Sequence, residues 1–221
     1  MTQARGRFIT FEGGEGAGKS TQVRRLITEL RKRGVDAIAT REPGGSPSAE
    51  EIRSLLVSGP PDRWKPMSEA LLINAARVEH LERLIRPSLA EGRWVLSDRF
   101  ADSTTAYQGF AQKLGLEVTR TLETLVVGDT RPDLTIVLDV PVDSGLGRAA
   151  SREVRDRGGE TRYERFSVKF HETLRQAFLD IAAAEPDRCV VIDAVQPEAD
   201  VAAQIWQAVA SRLGDLPAAS E

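Results

Sequence analysis

Several kinds of protein are excluded by what this chain of 221 residues lacks. It has one cysteine, Cys189, set in the apolar run Cys-Val-Val-Ile. No internal disulfide can form, and a small buried side chain is expected there. No apolar stretch approaches the ~18 residues of a membrane-spanning helix. The formal net charge of −3 gives no reason to expect binding to bulk nucleic acid. The two histidines, His80 and His171, stand far apart without metal-ligand spacing, so packing or surface roles are expected. Internal repeats and low-complexity tracts are missing. The N-terminus runs into a strand without a signal-peptide pattern, which leads to the expectation of a cytoplasmic protein.

What is present suits one α/β domain over residues 1–213, followed by a loose tail at 214–221. Hydrophobic content of 41% and charged content of 29% are ordinary for a globular chain with a sizeable core. Five short apolar runs read as strands: Phe8–Phe11, Asp36–Thr40, Trp94–Ser97, Leu134–Asp139 and Cys189–Asp193. They are nearly continuous rather than alternating, as in a parallel sheet covered on both faces. Helical periodicity separates them. Val23, Leu26, Ile27 and Leu30 recur at helical spacing, with Gly34 as a stop. Met67–Glu91 forms a second helix that Pro87 should kink or end. Further helices are expected at Glu117–Val127, Val142–Ser151, Tyr163–Ala184 and Pro197–Arg212. The alternation predicts a five-stranded, mostly parallel sheet with helices on both faces.

Gly13-Gly-Glu-Gly-Ala-Gly-Lys-Ser20 is a complete G-x-x-x-x-G-K-[ST] loop between a strand and a helix. Small residues let backbone N–H groups wrap a polyphosphate, and the helix N-terminus adds its dipole. Lys19 would reach the terminal phosphates and the Ser20 hydroxyl would ligate Mg²⁺. Binding of a nucleoside triphosphate follows. A guanine-reading Asn-Lys-x-Asp segment is missing, which speaks against a GTPase switch.

A second strand end, Trp94-Val-Leu-Ser-Asp98-Arg99, delivers an acid and a base to the carboxyl edge of the sheet, where ligands of open parallel sheets sit. Asp98 is the preferred acid for the metal, directly or through water, with Asp139 at the end of another strand as its rival. Arg99 would reach a phosphate. Residues 148–165 carry Arg148, Arg152, Arg155, Arg157, Arg162 and Arg165 around Gly158-Gly159. Beside a phosphate loop this reads as a short arginine-bearing lid, able to stabilise charge on a transferring phosphoryl group and exclude water. Arg41 and Glu42 sit in a turn-rich loop at the same sheet edge. Arg77 by itself reads as a surface charge.

Taken together, the segments Phe11–Thr21, Thr40–Gly45, Glu51-Ile-Arg53, Asn74-Ala-Ala-Arg77, Ser97-Asp-Arg-Phe100, Ala106-Tyr-Gln-Gly109, Arg131-Pro-Asp-Leu134, Ile192-Asp-Ala194 and Gln196-Pro197 closely resemble bacterial thymidylate kinase over nearly the whole chain. The resemblance implies a P-loop kinase fold, transfer of a phosphoryl group from ATP to dTMP with Mg²⁺, and a homodimer. Another nucleoside monophosphate kinase is the near alternative. The resemblance also implies that Gly13, Gly14, Glu15, Gly16, Ala17, Gly18, Lys19 and Ser20 hold the ATP phosphates. Arg53 and Arg99 would grip the dTMP phosphate, with Asp98 at the metal. Glu42 and Tyr107 would lie along the deoxyribose, and Arg77, Thr104 and Gln108 would face the thymine edge. The loop carries Glu15 where some members have arginine, so the catalytic arginine is expected in the lid. Arg155, Arg157 and Arg162 are the candidates, with Glu15 pairing to one of them and Arg148 lying over the adenine. Where the family commonly stacks a phenylalanine on thymine, this chain has Ile73.

Overall fold

The computed structural model describes residues 5–156 and 162–214; within 152–156 only the backbone is described, and the tail from 215 onward lies outside the described residues. The strands are β1 (Phe8–Glu12), β2 (Ala37–Arg41), β3 (Trp94–Asp98), β4 (Leu134–Asp139) and β5 (Cys189–Asp193), close to the predicted runs. They form one sheet in the order β2-β3-β1-β4-β5. Every pairing is parallel, with Phe11 opposite both Asp98 and Ile136. The chain order reverses around β1, which places a crevice at that strand's carboxyl end.

Alternate residues of each strand face opposite sides. Ile9, Phe11, Leu96, Leu134, Ile136 and Leu138 pack beneath α1 (Lys19–Lys32) and the C-terminal helix Glu198–Leu213. Phe8 and Val95 point the other way, and Phe8 meets Phe100 edge-on with ring centroids 4.9 Å apart. Thr10 and Glu12 share that second face. Both are fully buried, and Thr10 bonds Thr135 across the sheet at 2.7 Å. Cys189 is buried as expected, and burial pushes its thiol up to about 12.

Two helices went unpredicted. α2 (Pro47–Val57) follows the β2 loop with Pro47 in its first turn, where a missing N–H costs nothing. The other is the continuous coil formed by Ala101–Thr104 and a π-helical turn Thr105–Ala111, whose buried residues carry no regular apolar repeat. α3 (Pro66–His80) does not end at Pro87. A π-helical turn at Leu81–Ile85 shifts the register first, and α4 (Arg86–Ala90) takes Pro87 in its own first turn. α5 is Ala101–Thr104, and α6 is Leu116–Val126, as expected. α7 (Val142–Asp156) runs beyond the predicted stop at Ser151. The helix expected from Tyr163 begins later. A 3-10 turn, Tyr163–Arg165, precedes α8 (Val168–Ala184), whose N-terminus is set by the Ser167 hydroxyl accepting from Phe170 N at 3.2 Å. α9 is Glu198–Leu213.

Candidate active site

The loop between β1 and α1 is shaped by close backbone contact. A methyl group on Gly16, which has φ of +67°, would stand 1.9 Å from the Gly145 carbonyl oxygen, and one on Gly13 would stand 2.4 Å from that of Leu138. Only glycine fits either position. The loop therefore nests against β4 and α7. Lys19, at the start of α1, donates from Nζ to the carbonyls of Gly13 (3.1 Å) and Gly14 (2.7 Å). Burial, with Arg99 nearby, pushes Lys19 down to about 8, so it is still cationic at neutral pH.

β3 delivers Asp98 and Arg99 to the same place. The Ser20 hydroxyl donates to Asp98 Oδ2. The rival acid Asp139 is engaged elsewhere, in a two-pronged pair with Arg175 at 2.7 and 2.8 Å. Arg99 has φ of +72°, a left-handed conformation rare for a side chain of this size. The turn is held by Glu12, a residue missed in the sequence. Its Oε1 accepts from Phe100 N at 2.7 Å, and its Oε2 accepts from Ser103 Oγ at 2.6 Å. Burial, with Asp102 nearby, pushes the Glu12 carboxyl up to about 8. So turned, Arg99 donates to Gly13 O at 3.0 Å, to Ser103 Oγ at 3.1 Å and to Glu15 Oε1 at 3.1 Å, and lies over the Tyr107 ring.

Among the described residues the partners of Glu15 are Arg99, the Tyr107 hydroxyl and His171, whose Nδ1 is 3.6 Å from Oε2, and an expected pairing with Arg155 or Arg157 lies outside the described residues. Burial raises the Glu15 carboxyl, but Arg99, His171 and Lys19 outweigh it and hold the group well below the usual range. His171 thus has a polar role that spacing in the sequence could not reveal.

Across the crevice, Glu42 and Arg77 form a buried pair 2.7 Å apart, both side chains at most 3% exposed. Arg77 is no surface charge. It also donates to Asn74 Oδ1 (3.2 Å), Phe100 O (3.1 Å) and Thr104 Oγ1 (3.0 Å). His80 bridges Glu42 (3.0 Å) to Thr40 (2.7 Å). Burial pushes Glu42 up, but Arg77 and His80 hold it below its ordinary value. Arg53 on α2 donates to Pro43 O at 2.5 Å, which ties the Arg41–Gly45 loop to that helix.

These groups line one cleft of about 500 Å³. Glu15, Lys19, Ser20, Asp98 and Arg99 occupy its phosphate-loop end, and Ile73, Arg77, Thr104 and Gln108 are also on its wall, together with Arg53, Glu42 and Tyr107. Tyr163 and Glu164, from the lid's second half, complete it. Arg148 lies outside, donating to Ala194 O at 3.0 Å beyond the end of β5.

Arg162 requires a correction. It is fully buried, donating to the carbonyls of Pro60 (3.1 Å), Leu56 (3.1 Å) and Pro61 (2.7 Å) and pairing with Glu69 at 2.5 Å. A guanidinium so committed anchors the lid's stem to α2 and α3 and is unavailable as a mobile catalyst. Of the other candidates, the Arg155 side chain and all of Arg157 lie outside the described residues. Glu69 and His80 were also missed, although Glu69, Ile73, Arg77 and His80 fall at i, i+4, i+8 and i+11 on one helical face. That spacing was the available signal.

A family model described as thymidylate kinase matches residues 11–205. The chain is 55% identical over 214 residues to the thymidylate kinase of Caulobacter vibrioides, covering 97% of this chain and 100% of that protein. It is likewise 55% identical over 205 residues to the thymidylate kinase of Dinoroseobacter shibae, covering 93% of this chain and 96% of the relative. The crystal structure of thymidylate kinase from Ehrlichia chaffeensis matches with a TM-score of 0.74 at 33% identity, over 93% of this chain and 99% of that one.

Proposed function

The chain belongs to the thymidylate kinase family and transfers a phosphoryl group from ATP to dTMP, and on that premise we propose how its cleft divides the work. The supporting observation is that the phosphate loop and the buried Arg77–Gln108 region share one cleft. Residues Gly13 to Ser20 hold the ATP phosphates and Arg148 flanks the adenine. Arg53 and Arg99 take the acceptor phosphate. Glu42 and Tyr107 line the deoxyribose, where Tyr107 crowds a 2′-hydroxyl. Arg77, Thr104 and Gln108 face the thymine edge, and Ile73 covers one face of the ring. Arg77 has donors only and matches the O4 acceptor of thymine, not the amino group of cytosine.

Phosphoryl transfer needs positioned reactants and positive charge around the equatorial oxygens. Lys19 and Arg99 supply fixed charge, with Arg155 or Arg157 contributed by the lid. Ser20 and Asp98 would hold Mg²⁺. The fit is chemical: both donors are oxygens in mutual contact. Mg²⁺ takes one or two protein oxygens and keeps water and phosphate for the rest, and it would neutralise charge on the transferring phosphates. A cytoplasmic location belongs to the same reading.

The dimer is part of this proposal too. Met67, Leu71 and Val78 are exposed along one stripe of α3, where Ala75 is exposed as well, and Leu125 stands out from α6. A second copy of the chain packing there would bury the stripe. A coupled ADP-release assay over a panel of deoxynucleoside monophosphates tests the assignment. Turnover should be highest with dTMP, and ADP release independent of any acceptor would overturn it.

A further inference from the structure

Near Gln108, on the cleft wall, is a carboxylate that no motif pointed to. Glu69 on α3 is fully buried. Its Oε1 accepts from Gln108 Nε2 at 2.7 Å and from Gln112 Nε2 at 2.9 Å. Its Oε2 lies 2.5 Å from Arg162 Nη2 as an ion pair. A side-chain amide has one donating end and one accepting end. With its NH₂ turned to Glu69, Gln108 has only Oε1 left to offer. That oxygen is buried without a hydrogen-bond partner among the described residues. The opposite orientation would set carbonyl oxygen against carboxylate oxygen, lone pair against lone pair, so the amide is fixed by its neighbour.

We infer that Glu69 is a positioning residue for base selection: by holding Gln108 Nε2 it makes Gln108 present an acceptor, which selects a pyrimidine whose ring N3 carries a proton. The inference deepens the proposed function and rests on its placement of Gln108 at the thymine edge. Thymine and uracil donate from N3–H. Cytosine has a bare acceptor at N3 and would leave two lone pairs opposed, a mismatch that a buried site rejects strongly. Each pyrimidine-reading side chain is then held by its own buried acid, Arg77 by Glu42 and Gln108 by Glu69.

Glu69→Gln keeps the shape and changes the polarity. Its remaining oxygen belongs with the Arg162 guanidinium, so its NH₂ faces Gln108, which must turn its carbonyl inward and offer a donor to the base. Steady-state assays with dTMP and dCMP read the result. In Glu69→Gln the KM for dTMP should rise about tenfold with kcat little changed, and the dTMP:dCMP ratio of kcat/KM should fall by about tenfold or more. In a Gln108→Leu background, which should itself raise the dTMP KM, Glu69→Gln should move the ratio no further. If Gln108→Leu leaves the dTMP KM unchanged, Gln108 is not at the base, and the placement and the inference fall together. If it raises KM while Glu69→Gln leaves the ratio unmoved, or moves it equally in both backgrounds, the inference alone is overturned. A wild-type measurement needs no variant to fold. The N3-methyl analogue of dTMP, which keeps both carbonyls and has no N3–H to donate, should bind at least about tenfold more weakly than dTMP. Equal affinity would overturn the acceptor assignment.

Discussion

The phosphate-loop end and the base end of the cleft are built on different principles. The phosphate end is local: eight consecutive residues, Gly13 to Ser20, make most of it, and it works through backbone N–H groups, one lysine and glycines packed against neighbouring carbonyls. The base end is assembled from the β2 loop, α3 and the coil from Ala101 to Ala111, and it depends on buried charge pairs such as Glu42–Arg77 and Glu69–Arg162. Among the described residues Lys19 hydrogen-bonds only within its own loop, whereas Arg77 makes contacts to three other elements or turns. Rate and stability are therefore expected to be separable at one end and entangled at the other.

Lys19→Ala should lower kcat by about 10³-fold, roughly 4 kcal/mol in barrier, because it removes a preorganised charge from the transferring phosphates. Thermal melting of the same variant should be nearly unmoved. Loss of stability in step with loss of rate would erase the contrast between the two ends.

Glu42→Ala should do the opposite. It leaves Arg77 buried without its counter-charge, which costs about 3 kcal/mol or more in folding stability. For a domain of this size that is a drop of roughly 6–12 °C in Tm. A melting temperature within a degree or two of wild type would mean the pair is not structural.

The lid extends the phosphate end. Arg155→Ala or Arg157→Ala should reduce kcat by about 10²-fold, near 2.7 kcal/mol, with substrate KM little changed, as for a contact made in the transition state. Arg162→Ala should instead lower Tm, in keeping with its buried pairing. Near-normal kcat in both Arg155→Ala and Arg157→Ala would remove arginine catalysis from the lid.

Glu12 joins the ends by holding the turn that aims Arg99. Its carboxyl stands at about 8 in the folded chain against an ordinary 4.5, so the folded state binds the extra proton between those values. Its stabilising term is complete below pH 4.5 and is lost as pH rises through about 8. Glu12→Gln should flatten the fall of unfolding free energy over that window by at least about 1.4 kcal/mol, read from denaturant unfolding at a series of pH values. An identical pH profile in the variant would contradict the burial argument.

The smallest effect is expected at Ile73. Isoleucine already supplies dispersion contact, and base–aromatic stacking is worth about 1–3 kcal/mol in all. Ile73→Phe should tighten dTMP by at most roughly 1 kcal/mol, about fivefold, with ATP affinity unmoved. Calorimetric titration of both ligands decides, and an equal shift for ATP would place the base elsewhere.

The chain's own order of residues determined the five strands, the phosphate loop and the acid–base pair at the end of β3, because each is encoded by neighbours: an apolar run, a glycine spacing, a strand end. Family-specific segments marked Arg53, Arg77, Tyr107 and Gln108 as a set, and the cleft brings them together. Only the tertiary structure decided the partners. Nothing in the spacing of Asp98 and Asp139 says which acid meets Ser20, and strand order does not either, since β3 and β4 both flank β1; the side-chain contacts decide, with Ser20 on Asp98 and Arg175 on Asp139. Among the lid arginines, sequence alone ranks Arg162 with the rest, yet burial against Glu69 and three carbonyls makes it an anchor. Glu12 and His171 were illegible for the same reason, and the helical spacing of Glu69 could place it on the site's face without naming its partners. A buried polar group takes its role from what it is desolvated against, and those neighbours lie far away along the chain.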